Sequence, residues 1–150
     1  FKIDWTILRL FNVYGPGQDL KNLKQGMVSI YLAQAFKKGD IIVKGSFDRF
    51  RDFIYIDDVV QAWINALNKD LKGFNIFNIG SGKKIYVKEL LSIIQNNFYS
   101  ITISNLPATP GDQIGIYSNN KKMKRLLNIK KLVSLSEGIK KYSNEIKKTS

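Results

Sequence analysis

Arg51-Asp52-Phe53-Ile54-Tyr55-Ile56-Asp57-Asp58 combines a charged pair, an apolar run and two carboxylates in one short stretch. The apolar run at residues 53–56 is β-prone and short enough for a buried strand. Asp57 is a typical helix N-cap, and it predicts a helix over about residues 58–68. The strand would place Arg51 at the mouth of a site, where its planar guanidinium suits bidentate recognition of phosphate or carboxylate.

Strand, loop and helix patterns alternate on both sides of this stretch. Residues 5–12 predict a buried strand that ends at a loop rich in glycine and proline, and Ser134 with Glu137 has the spacing of a capping box before a final helix. Further strands are predicted at 41–43, 74–79 and 101–103, and further helices at 27–38, 86–98 and 121–127. The alternation favours an α/β architecture over all-α or all-β, with ligands bound at loops that follow strands.

The composition limits the chemistry that this chain performs. Its 150 residues fit one compact unit, and no linker, repeat or low-complexity tract divides it. A formal net charge of +12 biases its partners toward anions such as a polynucleotide, an acidic membrane or a phosphorylated small molecule. The chain has no cysteine and no histidine, which excludes disulfides, thiolate chemistry, Ser-His triads and zinc sites.

Signals for membrane insertion or secretion are missing from the sequence. No apolar run approaches the ~18–20 residues that span a bilayer, and no signal-peptide pattern is present. A cytoplasmic protein is therefore the expectation. The chain begins Phe1-Lys2-Ile3 without an initiator methionine and enters a β-type pattern almost at once, which predicts that its start is a cut rather than a natural terminus.

Five stretches, in a constant order along the chain, resemble the extended short-chain dehydrogenase/reductase family. Within that family they are similar to the NAD-dependent nucleotide-sugar epimerases and dehydratases, such as the UDP-glucose 4-epimerases. The stretches are TILRLFNVYGPGQ at 6–18, RDFIYIDDVVQA at 51–62, FNIGSG at 77–82, PGDQIGIYSNNKKMKRLL at 110–127 and VSLSEGIKKY at 133–142. One such motif is weak, but five in family order are specific.

This resemblance implies the last part of a Rossmann-type parallel sheet with a small α/β substrate-binding lobe, with residues 1–150 as a single unit. In the family, a Gly-rich turn that binds NAD and a catalytic Tyr-x-x-x-Lys pair lie upstream of the stretch that matches residues 6–12. The N-terminal NAD-binding part is therefore expected to be absent here. Gly80-Ser81-Gly82 is too short for G-x-G-x-x-G, and Tyr142 has no lysine four residues on. The chain alone, lacking the Tyr-x-x-x-Lys pair, is expected to be inactive, and the full-length enzyme is expected to form a homodimer.

The resemblance also assigns residues to the binding of substrate and cofactor. Asn12 matches the asparagine that contacts the phosphates of the nucleotide-sugar, Arg51 matches the pyrophosphate arginine, and Asp112 matches the carboxylate near the nucleotide ribose. Leu10 and Phe11 match positions that line the nicotinamide region of NAD. The implied substrate is a UDP- or dTDP-sugar.

The predicted strand at 41–43 is implied to bind the nucleotide base. Ile42 and Lys44 match the positions that flank the base-binding strand. Family members often have an arginine three residues before the aspartate that Asp112 matches, where this chain has Thr109. One phosphate contact would therefore be missing, or be supplied by Arg49 or Lys44.

Several of these residues have a purely structural alternative. Arg51 would then pair with Asp52, Asn12 would satisfy the backbone of a turn, and Asp112 would stabilise a Pro-Gly turn. The carboxylates of Asp57 and Asp58 are interpreted as helix caps. The aromatic side chains that are predicted to be core rather than substrate platforms are Tyr14, Phe53 and Tyr55.

For the whole chain, an epimerase is preferred to a nucleotide-sugar 4,6-dehydratase or a non-catalytic relative with the same fold. A more distant alternative is a basic nucleic-acid-binding module, because a net charge of +12 would support salt-sensitive phosphate contacts. No RNP, zinc-finger or recognition-helix pattern supports that alternative.

Overall fold

The structure is a computed structural model that describes residues 3–24, 26–98, 100–108 and 111–149. Strands and helices alternate along the described chain, as the sequence predicts. The strands are Trp5–Leu10 (β1), Asn12–Tyr14 (β2), Asp40–Lys44 (β3), Phe50–Arg51 (β4), Phe53–Tyr55 (β5), Phe74–Ile79 (β6), Ile85–Tyr86 (β7) and Thr102–Leu106 (β8). The helices are Met27–Lys38 (α1), Ile56–Leu67 (α2), Val87–Gln95 (α3), Lys121–Leu126 (α4) and Leu135–Thr149 (α5).

The strands form parallel pairs that bring their carboxyl ends together. β1 pairs in parallel with β6, β2 with β5, and β3 with β8, while β4 and β7 are antiparallel. Leu10 at the end of β1 lies opposite Ile79 at the end of β6. The loops that follow these two strands therefore meet at one edge of the sheet, where ligands bind in α/β folds.

The prediction of one buried strand over residues 5–12 is wrong in two respects. The strand breaks at Phe11 into β1 and β2, and the side chains of Trp5, Ile7 and Leu10 are 47%, 40% and 47% exposed. The physical reason is that β1 packs Leu8 against the core beside α2, while its opposite face and far edge are uncovered within the described residues. An apolar run therefore predicted the strand correctly and its burial incorrectly.

Asp57 is not the N-cap of α2. The helix begins at Ile56, and Tyr55, in extended conformation, occupies the cap position without a side-chain cap hydrogen bond. β5 runs straight into the helix, so Asp57 and Asp58 lie in its first turn, where carboxylates favour the helix dipole. Oδ2 of Asp58 instead accepts the backbone N–H of Val133 at 3.0 Å, which ties α2 to the segment before α5.

The other helix ends follow their sequence signals more closely. α1 ends at Gly39, which adopts a left-handed conformation and donates its N–H to the carbonyl of Ala35. At the start of α5, Ser134 Oγ accepts the N–H of Glu137 at 3.2 Å, which confirms the predicted capping contact. α3 begins after Tyr86, whose N–H is bound by Glu89 Oε2 at 2.9 Å.

Two clusters of buried side chains hold the elements together. The larger cluster joins α1, β3, α3 and α5, and it contains Tyr14, Phe53 and Tyr55, which confirms that these aromatics are core. The smaller cluster joins α2, β6 and α4 around Phe77 and Met123. Among the described helices, none has the length and apolarity that crossing a membrane requires.

Candidate functional site

The guanidinium of Arg51 reaches across to the loop after β8. Its Nη2 lies 3.4 Å from Oδ1 of Asp112, and its Nη1 donates to the carbonyls of Phe50 at 2.8 Å and Gln113 at 3.2 Å. The side chains of Arg51 and Asp112 are 16% and 14% exposed, so the pair is shielded and still open to a ligand. The alternative ion pair between Arg51 and Asp52 is absent, because Asp52 is buried among other donors.

Arg49 is the second cation at Asp112. Its Nη1 pairs with Asp112 Oδ2, its Nη2 donates to the carbonyl of Lys44, and its Nε donates to the carbonyl of Ser46 at 3.0 Å. Two guanidiniums thus share one carboxylate, which leaves a net positive charge in a partly shielded site. Thr109, the position at which family members often carry an arginine, lies outside the described residues.

Two neighbours shape this cluster of Arg49, Arg51 and Asp112. Gly45 directly follows β3 and has a φ of +86°. A Cβ at this position would lie 3.0 Å from Asp112 Oδ2 and 3.1 Å from Arg49 Cζ, so only glycine leaves room for the two side chains to pair. Tyr31 of α1 is buried beside it. Burial raises the pKa of Tyr31, and the charges of Arg49, Asp112 and Arg51 act on the same phenol. One side of α1 therefore faces the cluster.

The positions matched to nicotinamide contacts lie together at the carboxyl end of β1. Leu10, Phe11 and Asn12 line one open groove of about 500 Å³, whose other lining side chains are Arg9, Asn78 and Ile116. Ile116 belongs to the same segment as Asp112, so this segment runs from the arginine cluster to the groove. The groove combines apolar side chains with two amides and one arginine, and a mainly apolar lining with a few polar groups is typical of a ligand site.

Asn12 also lines a smaller cavity of about 210 Å³ at the start of α1, together with Gln18, Gly26 and Met27. The first turn of α1 carries no acidic residue, and the cap position before it is occupied by Gly26, which has no side chain that could cap the helix. Free N–H groups and the helix dipole favour an anion at such a place, and Asn12 can donate to it. Asn12 is itself anchored, because its backbone N–H and its Nδ2 donate to the carbonyl of Asp52 at 3.0 and 3.2 Å.

Ile42 and Lys44 lie on the exposed face of β3, because Ile41 and Val43 take the buried positions. The backbone N–H of Ile42 donates to Gln34 Oε1 at 3.0 Å, and its side chain lines an apolar groove beside α1. Lys44 meets the arginine cluster through its backbone carbonyl. The structure thus brings Lys44 to the cluster and turns the Ile42 side chain toward a different groove.

Asp52 is the residue whose importance sequence reasoning missed. It is fully buried, and its carboxylate accepts five hydrogen bonds of 2.6 to 3.0 Å from Ser81, Gly82 and Ser118. The bonds join the loop after β6 and the 112–118 segment to the residue next to Arg51. A carboxylate directly before a buried apolar strand was the available signal, because a buried charge needs partners.

Gly80 fits closely against this buried carboxylate. A Cβ at Gly80 would lie 2.5 Å from Ser118 Oγ and 2.7 Å from Asp52 Oδ2. Only glycine therefore lets the turn after β6 approach Asp52. These contacts assign a packing role to the glycine turn at 80–82.

The site is equipped for binding more clearly than for proton transfer. Burial raises the pKa values of Tyr14, Tyr31, Tyr55 and Tyr142, so these phenols stay protonated at neutral pH. Among the described residues, no group of three His, Cys, Asp or Glu side chains could hold a metal ion.

The expectation that the chain lacks a Tyr-x-x-x-Lys spacing is wrong in its literal form, since Tyr117 and Lys121 have it. Tyr117 lies before α4 with its side chain 57% exposed, and its ring packs against that of Phe50. Lys121 begins α4 and lines a different groove. The two residues are thus not on successive turns of one helix, which is the arrangement that would align them.

Comparison with known proteins gives a consistent family. Residues 1–80, a little more than half of the chain, match the family model described as NAD dependent epimerase/dehydratase family. A putative UDP-glucose 4-epimerase of Methanocaldococcus jannaschii is 37% identical over 149 residues, which cover 98% of this chain and 47% of that protein. An ADP-L-glycero-D-manno-heptose-6-epimerase of Brachyspira hyodysenteriae is 31% identical, and the match covers 95% of this chain and 46% of that protein.

Solved structures show the same fold. A UDP-glucose 4-epimerase of Thermotoga maritima with UDP-glucose has a TM-score of 0.83 at 31% identity, with 96% of this chain and 46% of that chain covered. A UDP-glucuronic acid 4-epimerase of Bacillus cereus, in complex with UDP-glucuronic acid and NAD, has a TM-score of 0.85 at 26% identity and covers 97% of this chain and 46% of its own. The chain thus spans about half the length of these relatives. This chain, which has an α/β architecture, belongs to the NAD-dependent epimerase/dehydratase family.

Proposed function

We propose that this chain is the C-terminal, substrate-binding part of an NAD-dependent nucleotide-sugar epimerase, with a UDP- or dTDP-sugar as substrate. The observation that carries the proposal is the convergence of Arg49 and Arg51 on Asp112 beside α1. Two fixed guanidiniums against one carboxylate leave a net positive charge that a diphosphate would complement. Family membership favours this function over a basic nucleic-acid-binding module.

The diphosphate would lie between Arg51 and the start of α1. Arg51 has five N–H donors, so its bonds to Asp112, Phe50 and Gln113 leave capacity for phosphate oxygens. A charge-assisted contact of this kind contributes ~1.5–3 kcal/mol when it is partly desolvated. Asn12 would donate to the same anion without adding charge.

The nucleoside would lie toward β3 and Asp112. A carboxylate offers about four acceptor sites, so Asp112 can accept a ribose hydroxyl while it pairs with both arginines. Ile42 and Lys44 remain proposed contacts of the base. Of these two, Lys44 has the stronger support, because its carbonyl bonds Arg49.

The groove at Leu10 and Phe11 fits the nicotinamide end of NAD. Its apolar and amide side chains suit a flat ring that carries a carboxamide, and it adjoins Asn12 at the proposed phosphate site. Bound NAD supplies hydride transfer at the nicotinamide ring. In the proposal, most contacts to NAD and the acid/base pair come from sequence outside these 150 residues, so that the chain alone is inactive.

Arg51→Ala in the complete gene product tests the substrate site. Calorimetric titration with UDP- and dTDP-sugars should show binding at least ~10-fold weaker than in the wild type, in keeping with the loss of a charged contact. Arg125→Ala, at an exposed position of α4, is the matched control for the loss of one arginine and should leave the affinity unchanged. Wild-type affinity in Arg51→Ala would remove Arg51 from the site.

The product separates an epimerase from the alternatives. Epimerisation leaves the mass of the nucleotide-sugar unchanged, whereas a dehydratase lowers it by one water. Mass spectrometry with chromatographic separation of the sugar isomers distinguishes these results from the absence of turnover in a non-catalytic relative. The homodimer and the cytoplasmic location belong to the same proposal, and light scattering and cell fractionation test them.

A further inference from the structure

The carboxylate of Asp52 has an unusual set of partners for a fully buried charge. It accepts two hydroxyl and three backbone N–H hydrogen bonds, and it makes no ion pair with a described cation. Burying a carboxylate is costly unless hydrogen bonds satisfy it. The five bonds therefore fix both the position and the orientation of the Asp52 carboxylate. The donors come from two segments that are distant in sequence from Asp52.

One of these segments carries the proposed nucleotide contacts. Ser118 donates its N–H at 2.9 Å and its Oγ–H at 2.6 Å to Asp52 Oδ2. Asp112 and Ile116 lie just before Ser118 in the same segment, and they meet Arg51 and the groove at Asn12, respectively. Holding Ser118 therefore limits where Asp112 can lie.

The other segment is the turn after β6. Ser81 donates its N–H at 2.7 Å and its Oγ–H at 2.6 Å to Asp52 Oδ1, and Gly82 donates its N–H at 3.0 Å to Oδ2. None of the residues proposed to contact substrate belongs to this turn. Ser81 and Ser118 are thus the same residue type, with equal hydroxyl contacts to one carboxylate, on segments with different proposed roles.

We infer that Asp52 is a positioning residue that assembles the substrate site by fixing the 112–118 segment against Arg51 and Asn12. Its carbonyl fixes Asn12 through two hydrogen bonds, its carboxylate fixes Ser118, and the peptide bond joins it to Arg51. Asp52 therefore links all three residues that are proposed to contact the nucleotide diphosphate and ribose. This inference rests on the proposed function.

The test compares Ser118→Ala with Ser81→Ala in the complete gene product. Both remove one hydroxyl donor from Asp52 and keep the backbone donors, so both should lower the melting temperature. Ser81→Ala also removes the acceptor of the Lys83 N–H, which lies 3.2 Å from Ser81 Oγ, so its loss of stability is not smaller for want of contacts. Only Ser118→Ala should weaken nucleotide-sugar binding, by about threefold or more, when the dissociation constant is measured by calorimetry well below the melting temperature. Where turnover is measurable, the same variant should raise KM and leave kcat within about twofold, because Ser118 touches no reacting group.

Equal dissociation constants for the two serine variants would overturn the inference, since a purely structural role predicts a shared loss of stability and no difference in binding. Arg51→Ala, measured in the same series, separates this failure from failure of the proposed function. If Arg51→Ala binds normally, the substrate site itself is misplaced. If Arg51→Ala binds weakly while the serine variants match each other, only the positioning role of Asp52 is wrong.

Discussion

Nη2 of Arg51 lies 3.4 Å from Oδ1 of Asp112, although 61 residues separate the two along the chain. Arg49 occupies the other oxygen of the same carboxylate. The three side chains are 11% to 16% exposed, so water screens them less than it screens a surface pair. A cluster of this kind holds its geometry before a ligand arrives, which lowers the cost of ordering on binding.

Replacing Asp112 with asparagine should destabilise the protein by about 1–3 kcal/mol, because two partly buried arginines lose their counter-charge. Urea unfolding followed by circular dichroism measures this change. Asp48→Asn is the control, since Asp48 pairs with Lys88 at an exposed place where ion pairs contribute little. Equal changes for the two variants would show that the cluster is no stronger than a surface pair.

Asp52→Asn should cost more than about 3 kcal/mol, because an amide group would turn its own donors toward the N–H and O–H groups that Asp52 accepts. The matched control is Asp57→Asn, which alters an exposed carboxylate in the first turn of α2. The free energy of unfolding measured for both variants decides between a central and a peripheral role for Asp52. A small loss in Asp52→Asn would contradict the five-bond network.

Gly138→Ala should destabilise by about 2 kcal/mol or more, because a Cβ would overlap Tyr14 Oη and lie 3.0 Å from Tyr55 Cδ2 in a tightly packed core. Tyr14→Phe removes the closest atom, so the double variant should lose less stability than the two single losses combined.

Gly73→Ala is the control for Gly138→Ala, because its φ of +69° adds backbone strain although no neighbour lies within 4 Å. Its loss should stay near about 1 kcal/mol and should be independent of Tyr14. Thermal unfolding of this set measures each loss. Strict additivity of Gly138→Ala and Tyr14→Phe would argue against the close contact.

Asp58→Asn should change how stability depends on pH. Burial raises the pKa of Asp58 above its usual value of 3.8, and the N–H of Val133 acts against that rise. The charged form therefore destabilises the fold, a cost that is absent below the unfolded pKa and that grows as pH rises through the folded pKa. Asparagine keeps an acceptor for Val133 without this cost, so its stability relative to the wild type should improve from about pH 4 to about pH 7.

Urea unfolding of both proteins across this pH range measures the difference for Asp58→Asn. Asp57→Asn, one residue earlier and exposed, serves as the comparison. A relative stability of Asp58→Asn that stays constant with pH would show that Asp58 titrates normally.

Local signals predicted the elements well and their surroundings poorly. Gly39 ends α1 and Ser134 caps α5, because each signal acts within one helical turn. The apolar pattern of β1 predicted a strand, but burial depends on which elements cover its faces, and Trp5 is 47% exposed. Asp57 has the residue type of a cap, but the direct passage from β5 into α2 gives the cap position to Tyr55.

For the candidate site as well, the sequence selected residues, and only the structure showed their surroundings. Resemblance to the family selected Arg51, Asn12 and Asp112, and the structure places Arg51 beside Asp112, with Asn12 anchored to Asp52. The resemblance could not reveal that Asp52 is the shared anchor, because residue type alone made an ion pair between Asp52 and Arg51 the obvious alternative. Nor did the sequence show that Ile42 turns its side chain toward a separate groove.

The sequence by itself determined the α/β alternation, most helix ends and the family motifs, since these depend on propensities and hydrogen bonds between residues close in the chain. Only the tertiary structure decided that Asp52 binds Ser118, 66 residues away, and that Arg49 and Arg51 share Asp112. Such contacts arise from packing, which brings distant segments together and buries charges that must then find partners. The physical basis of the site therefore lies in long-range contacts that no local pattern encodes.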